Sequence, residues 1–268
     1  MLQNLHTHTN LCDGKNTPEE MVISAIGKGF DSLGFSGHAK NELDFEFCMK
    51  DMAAYIAEVN RLKEKYKDKI KIYLGIEEDR VGFVDRDKFD YIIGSMHSFI
   101  SSDGKYYSID KNRDSFYECL ALFGGDAIAL AENYYREFCD YILKRKPDIV
   151  GHFDLITKFD EMGDALFSEN EKYFEIAEKY LIKAIGSGSF FEVNTGAMSR
   201  GYRKTPYPHQ RLLRVMKNEG AKMVLTSDCH AAESIDCAFE LTKSILKDVG
   251  FTHTYVLTDQ GWEKETIV

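Results

Sequence analysis

Proline is scarce in this chain, with four residues in 268, and tryptophan occurs once. Low-complexity runs are missing too, which argues against a disordered or extended chain. No stretch of about 18 apolar residues occurs, so no membrane span is expected. The start, Met1-Leu2-Gln3-Asn4, has neither the basic nor the apolar segment of a signal peptide, and none is expected. Positive charge is also in short supply. Lys and Arg total 34 against 44 Asp and Glu, a net charge of −10. That balance argues against a general nucleic-acid surface. A small anionic substrate fits it if bound cations offset the field. Finally, no two of the six cysteines form a CxxC pair. Reduced thiols in a cytoplasmic protein are the expected state, and packing is their plainest role.

What the chain does have is the material of a sizeable core, with 44% hydrophobic and 13% aromatic residues. Apolar strand-like runs alternate with helical periodicity from end to end. Strands are expected at Leu2-Leu5, Ser32-Ser36, Ile70-Ile76, Tyr91-Ser95, Ile149-Gly151, Phe190-Val193 and Met223-Thr226, with a late one at Tyr255-Leu257. Helices are expected near 18–29, 50–66, 113–123, 126–145, 170–187, 207–219 and 233–248. The first opens on Thr17-Pro18-Glu19-Glu20, which reads as an N-cap, a proline at the first helical position and an acidic first turn. Repeated βα units predict a parallel sheet with right-handed crossovers, and about seven of them suit a barrel better than an open sheet. No linker divides the chain, so residues 1–268 are expected to form a single α/β domain. The irregular stretches at 38–50, 97–112, 152–170 and 194–208 follow strands and would rim one mouth.

The polar residues fall where such a barrel keeps its chemistry. His6 and His8 are two apart at the end of the first strand and can aim their rings at one point. Asp13 follows on the loop. His38, Glu77, His97, His152, and the pair Asp228 and His230 each stand just past a predicted strand. Six of the eight histidines occupy such places; His209 and His253 do not. Six imidazoles and three carboxylates converging on one face call for cations. The mixed nitrogen and oxygen set suits Zn, Mn or Fe. Nine ligands are too many for one ion, so two or three divalent ions are expected, with a carboxylate as bridge.

These motifs, from His6-Thr7-His8 through Gly75-Ile76-Glu77, Ser95-Met96-His97, Gly151-His152-Phe153-Asp154 and Glu192-Val193-Asn194-Thr195 to Ser227-Asp228-Cys229-His230, resemble the PHP (polymerase and histidinol phosphatase) family. Within that family the resemblance is greatest to the stand-alone L-histidinol-phosphate phosphatases. It implies a distorted seven-stranded TIM-like (βα) barrel, a trinuclear metal centre and hydrolysis of L-histidinol phosphate in histidine biosynthesis. Carried over by motif, His6, His8, Glu77 and Asp228 would hold one ion, Glu77, His97 and His152 a second, and Asp13, His38 and His230 a third. Several family members have His where this chain has Asp13, which leaves metal identity and third-site occupancy open.

The expected mechanism is direct. Hydroxide bridging two ions near Glu77 attacks phosphorus in line while the ions neutralise the phosphate oxygens. His230 or Asp228 could assist the leaving alkoxide, although ligands make poor acids. Arg200, on the loop after Phe190-Val193, is the first candidate to pair with phosphate, and Lys158 is the second. Asn41, Glu42, Asp44, Phe99, Asp160 and Glu161 sit on loops suited to the substrate's amine and imidazole. Glu192 is left between a buried structural role and a site role. Two other readings stay open: a PHP phosphoesterase for a nucleotide, sugar phosphate or phosphotyrosine peptide, and a non-catalytic metal-binding module. The apolar helix faces serve barrel packing and dimer contacts equally well, so a homo-oligomer is open too.

Overall fold

In the computed structural model, which describes residues 1–41, 43, 46–163 and 165–267, seven short runs line up as parallel strands. They are β1 (Gln3–Asn4), β2 (Ser32–Phe35), β3 (Lys71–Asp79), β4 (Tyr91–Ser95), β7 (Ile149–Val150), β8 (Phe190–Asn194) and β9 (Lys222–Thr226). Their spatial order is β1-β2-β3-β4-β7-β8-β9. The two edges meet past the strand ends, where Thr7 bridges Cys229 in parallel and His8 N–H donates to the Cys229 carbonyl at 2.9 Å. The result is a nearly closed, distorted barrel of the TIM-like kind.

β3 is longer than its neighbours for a reason visible in its pairing. Its first half pairs with β2, Ser32 opposite Lys71, and its second half with β4, Gly75 opposite Tyr91. This stagger carries Glu77 to the mouth. Between the strands, the Tyr91 ring lies against Gly34 and Gly75. A Cβ on Gly75 would come 2.1 Å from Tyr91 Cζ, so only glycine leaves room for the ring. The Tyr91 hydroxyl donates to the carbonyls of Leu5 and Phe35, which ties β4 to the line of the first two strands.

Helices cover the outside: α1 (Pro18–Gly27), α2 (Met52–Tyr66), α3 (Arg113–Ala121), α4 (Ala127–Arg145), α5 (Glu171–Ile185), α7 (Gln210–Asn218) and α8 (Phe239–Val249), while the one-turn α6 (Gly196–Ser199) lies at the mouth. The start of α1 is a capping box: Thr17 N–H donates to Glu20 Oε2 at 2.8 Å and Glu20 N–H returns to Thr17 Oγ1 at 3.3 Å. Tyr134, Tyr135, Phe138 and Tyr141 of α4 are buried in the largest core cluster, as their helical spacing suggests.

Two elements depart from the expected pattern. The stretch 97–112 contains a small antiparallel hairpin, β5 (Ser98–Ile100) with β6 (Tyr106–Ser108). The late strand is not a further stave but half of a second hairpin, β10 (His253–Thr258) with β11 (Gly261–Thr266). It covers the end of the barrel opposite the mouth. Gln3 exchanges two hydrogen bonds with the Leu257 backbone, and Trp262 stacks on Phe190 at 4.1 Å between centroids. No helix among the described residues is long and apolar enough to cross a membrane.

Candidate metal centre

Parallel strands bring their C-terminal ends to one face, and the nine candidate ligands meet there. Glu77 is at the middle, 1% exposed. Its Oε2 lies 3.3 Å from His6 Nε2, 3.5 Å from His8 Nε2 and 3.0 Å from His38 Nδ1. Its Oε1 lies 3.3 Å from His97 Nε2 and 3.1 Å from His152 Nε2. Asp228 Oδ1 stands 3.2 Å from His8 Nε2 and 3.6 Å from His6 Nε2. On the outer side, Asp13 Oδ2 is 3.0 Å from His230 Nε2 and 3.7 Å from His38 Nε2. Donor atoms lying within 4.8 Å of one another fall into four overlapping groups. These are His6 with His8 and Asp228; His6 with Glu77 and His152; His38 with Glu77 and His97; and His8 with Asp13, His38 and His230. His97 and His152 thus approach Glu77 in the company of His38 and His6 respectively.

The donors fit divalent ions. His6 Nε2, His8 Nε2, Asp13 Oδ1 and Glu77 Oε2 are buried without a directed hydrogen bond. Buried polar atoms are ordinarily paired. Here they are aimed at common points, which is the arrangement a shared cation satisfies. Electrostatics agree. Burial pulls His6 down, yet the carboxylates of Glu192, Glu77 and Asp228 hold it up to about 10. His97, against burial, is held up to about 10 by Glu77 and Asp79. Burial would raise Glu77, but the imidazoles of His38, His6 and His97 hold it well below the usual carboxylate range. His230 goes the other way, lowered to about 4 by burial and by neighbouring His8 and Arg200.

Above the ligands opens a cavity of about 280 Å³. All four irregular stretches reach it, through Asn41 and Phe47, Ser108 and Asp110, Leu155 and Lys158, and Arg200 and Tyr202. Arg200 Nη2 lies 3.2 Å from Asp228 Oδ2, and its Nε is buried without a partner among the described residues. Lys158 Nζ donates to the Asp110 carbonyl at 2.5 Å, with its carboxylate at 3.2 Å, and lies 5.0 Å from the Tyr202 ring centre. Asn41 lines the wall, with its Oδ1 accepting from Leu43 N–H. Glu161 does not line the cavity: it accepts from Lys204 N–H and Thr205 Oγ1 and so fixes the loop beyond Arg200. Asp160 is likewise a loop anchor, accepting from the backbone of Leu166, Phe167 and Ser168, and Phe99 packs in the core. Glu42 and Asp44 lie outside the described residues.

Two carboxylates adjoin the ligands that the motif reading did not assign. Asp79 Oδ2 accepts from His97 N–H at 2.9 Å and lies 3.1 Å from His97 Nδ1. Its signal was the strand period, since Asp79 is two residues after Glu77 and shares its face while Glu78 points outward to Arg145. Glu192 lies behind His6, with Oε2 2.8 Å from His6 Nδ1. Cys12 Sγ is 3.6 Å from His8 Nδ1, and none of the six cysteines is in a disulfide.

A barrel whose strand ends gather imidazoles and carboxylates in this order defines a class. The PHP domain model matches residues 4–196, and the chain belongs to that family. The chain is 29% identical over 255 residues to a probable histidinol-phosphatase of Schizosaccharomyces pombe, covering 87% of this chain and 81% of that one. It is 28% identical over 260 residues to the histidinol-phosphatase of Bacillus subtilis, covering 88% and 96% respectively. Among solved structures it shares its fold with the histidinol phosphate phosphatase of Lactococcus lactis, complexed with Zn, L-histidinol and phosphate. The TM-score is 0.74 at 20% identity, covering 98% of this chain and 99% of that one.

Proposed function

We propose that this chain is a metal-dependent phosphomonoesterase that hydrolyses L-histidinol phosphate to L-histidinol and phosphate, a step of histidine biosynthesis. The observation that carries the reading is the cluster of nine ligands on the floor of a cavity with Arg200 and Lys158 in its wall. Family membership and the named relatives support it. Two or three divalent ions, Zn, Mn or Fe, would be held by His6, His8, Asp13, His38, Glu77, His97, His152, Asp228 and His230. Bound there, such ions neutralise phosphate charge and bring the pKa of water toward ~7.

The chain's own residues do the rest. Glu77 presents both oxygens to different imidazoles, as a bridging carboxylate would. Arg200 offers a planar guanidinium at the cavity wall and pairs with phosphate oxygens. Lys158, braced by Asp110, adds a second cation. Asn41 offers an amide to the remainder of the substrate. The inner floor of His6, His8, Glu77, His152 and Asp228 is buried, which strengthens charge interactions there. We place it in the cytoplasm, where cysteines outside any disulfide are the expected state.

A panel of phosphate monoesters tests this. Zinc- or manganese-loaded protein should release phosphate from L-histidinol phosphate with kcat/KM at least about 100-fold above that for nucleotides, sugar phosphates and phosphotyrosine, about 2.7 kcal/mol of discrimination. In heavy-oxygen water each phosphate should gain one solvent oxygen. A different preferred ester would move the substrate assignment, and no hydrolysis of any ester would favour a binding module.

A further inference from the structure

Glu192 is the middle residue of β8 with 1% of its surface exposed, and its carboxylate makes four contacts. Oε1 accepts from the His152 backbone N–H at 2.5 Å and from Asn194 Nδ2 at 2.7 Å. Oε2 accepts from the Thr226 hydroxyl at 2.9 Å and lies 2.8 Å from His6 Nδ1. The Asn194 amide is oriented independently, because its Oδ1 accepts from Gly196 N–H at 2.8 Å and so turns Nδ2 toward Glu192. A carboxylate offers about four lone-pair sites and no hydrogen. It satisfies all four neighbours only when His6 donates as well. That fixes a proton on Nδ1, so Nε2 is the nitrogen left to give its lone pair to an ion once its own proton has gone. Nε2 is the atom 3.3 Å from Glu77 Oε2 and 3.6 Å from Asp228 Oδ1, buried without a directed hydrogen bond. Through its other oxygen the same carboxylate holds the backbone of His152, two residues past β7, whose Nε2 faces Glu77.

We propose that Glu192 is a positioning residue for the metal centre, which sets the tautomer of His6 through one oxygen and anchors His152 through the other. Partners of this kind raise ligand basicity and fix ring orientation, and their loss costs on the order of 10–100-fold in metal affinity. The proposal rests on the metal-centre reading. A purely structural carboxylate, joining β8 to its neighbours, would affect folding but not the choice of ring nitrogen.

Glu192→Gln separates the two. An amide of the same shape has one hydrogen-bearing end. Facing His6, it makes Nδ1 accept and moves the proton to Nε2. Facing His152, it leaves the backbone N–H without an acceptor. Zinc affinity measured by competition with a chromophoric chelator should fall 10–100-fold for one equivalent. Refolded metal-free E192Q should keep the wild-type circular dichroism. On zinc-loaded wild-type protein with ¹⁵N-labelled histidine, the resonances lost in His6→Gln should show Nδ1 protonated and Nε2 metal-bound. This second measurement decides the matter even where E192Q does not fold. Wild-type zinc affinity in E192Q, or His6 coordinated through Nδ1, overturns the proposal while leaving the metal centre intact. Wild-type protein that binds no zinc overturns both.

Discussion

Arg200 Nη1 lies 2.6 Å from His230 Nδ1. A guanidinium can only donate, so His230 Nδ1 accepts and the ring proton lies on Nε2, 3.0 Å from Asp13 Oδ2. An ion on Nε2 would reverse this. The proton would then belong on Nδ1, where the Asp228 carbonyl at 3.0 Å can accept it, and Arg200 would lose its His230 acceptor and keep only its two 3.2 Å contacts with Asp228. Binding of the outer ion and availability of Arg200 are therefore linked. Arg200→Ala should lower kcat/KM by about 100-fold, roughly 2.7 kcal/mol. Arg200→Lys should recover only part of that, since a lysine cannot pair two oxygens at once. Inhibition by inorganic phosphate, read as a competition constant, should weaken in parallel.

Glu77 is within 3.5 Å of five imidazoles, those of His6, His8, His38, His97 and His152. Removing its charge removes the anion that gathers them. Glu77→Gln should reduce kcat by about 1,000-fold or more, because one residue serves ion binding and electrostatic stabilisation together. Metal analysis after gel filtration should show fewer ions per chain, and circular dichroism should show the fold retained.

Without ions, His6 and His97 hold protons on rings proposed as ligands. Burial works against charge on His6 and His97, but the carboxylates around them win and hold both up to about 10. Their stabilising contribution is fully present below the unfolded value near 6.5 and is lost as pH rises through about 10. Each proton must leave its ring before that nitrogen can ligate. Zinc binding should therefore release protons, and apparent affinity should rise between pH 6 and pH 8. Calorimetry in buffers of different ionisation enthalpy reads the proton count directly. Saturating zinc at about 100 times its Kd should add roughly 2.7 kcal/mol to stability, visible as a higher unfolding midpoint than in chelated protein.

The ends of the parallel strands were legible because burial on both faces writes them as apolar runs stopped by a polar residue. The nine candidate donors, which the structure brings together, were read this way, since Ser95-Met96-His97 and Gly151-His152 repeat one local grammar. Asp79 obeys the same period-two rule as Glu77, yet a run of three acids at 77–79 reads equally well as a solvated turn. Glu192 and Asn194 share a face, and period alone does not say whether that face meets an ion, a ligand or a backbone. Glu161 shows the opposite difficulty. An acid on a rim loop looks available to substrate until the neighbouring Lys204 and Thr205 claim it. The hairpin at Ser98–Ser108 has strands of only three residues, too short for a periodic signal.

Gly196 begins α6 beside the centre, and a Cβ there would lie 2.6 Å from Asp228 Oδ2 and 2.8 Å from Asp228 Cβ. Something must shift, and the near neighbour is a proposed ligand. Gly196→Ala should therefore displace Asp228 and weaken binding of the ion it shares with His6 and His8, by about tenfold. Overpacking of this kind costs about 1–3 kcal/mol of stability. The zinc titration and the urea midpoint, measured on one preparation, check both effects.

Anomalous diffraction at the zinc edge from crystals of zinc-loaded protein tests the central claim most directly. The account predicts at least two strong peaks at the barrel mouth, each within about 2.0–2.2 Å of nitrogen or oxygen donors drawn from the nine residues, with Glu77 touching more than one. An empty mouth, or zinc bound only at surface histidines such as His253, would contradict it.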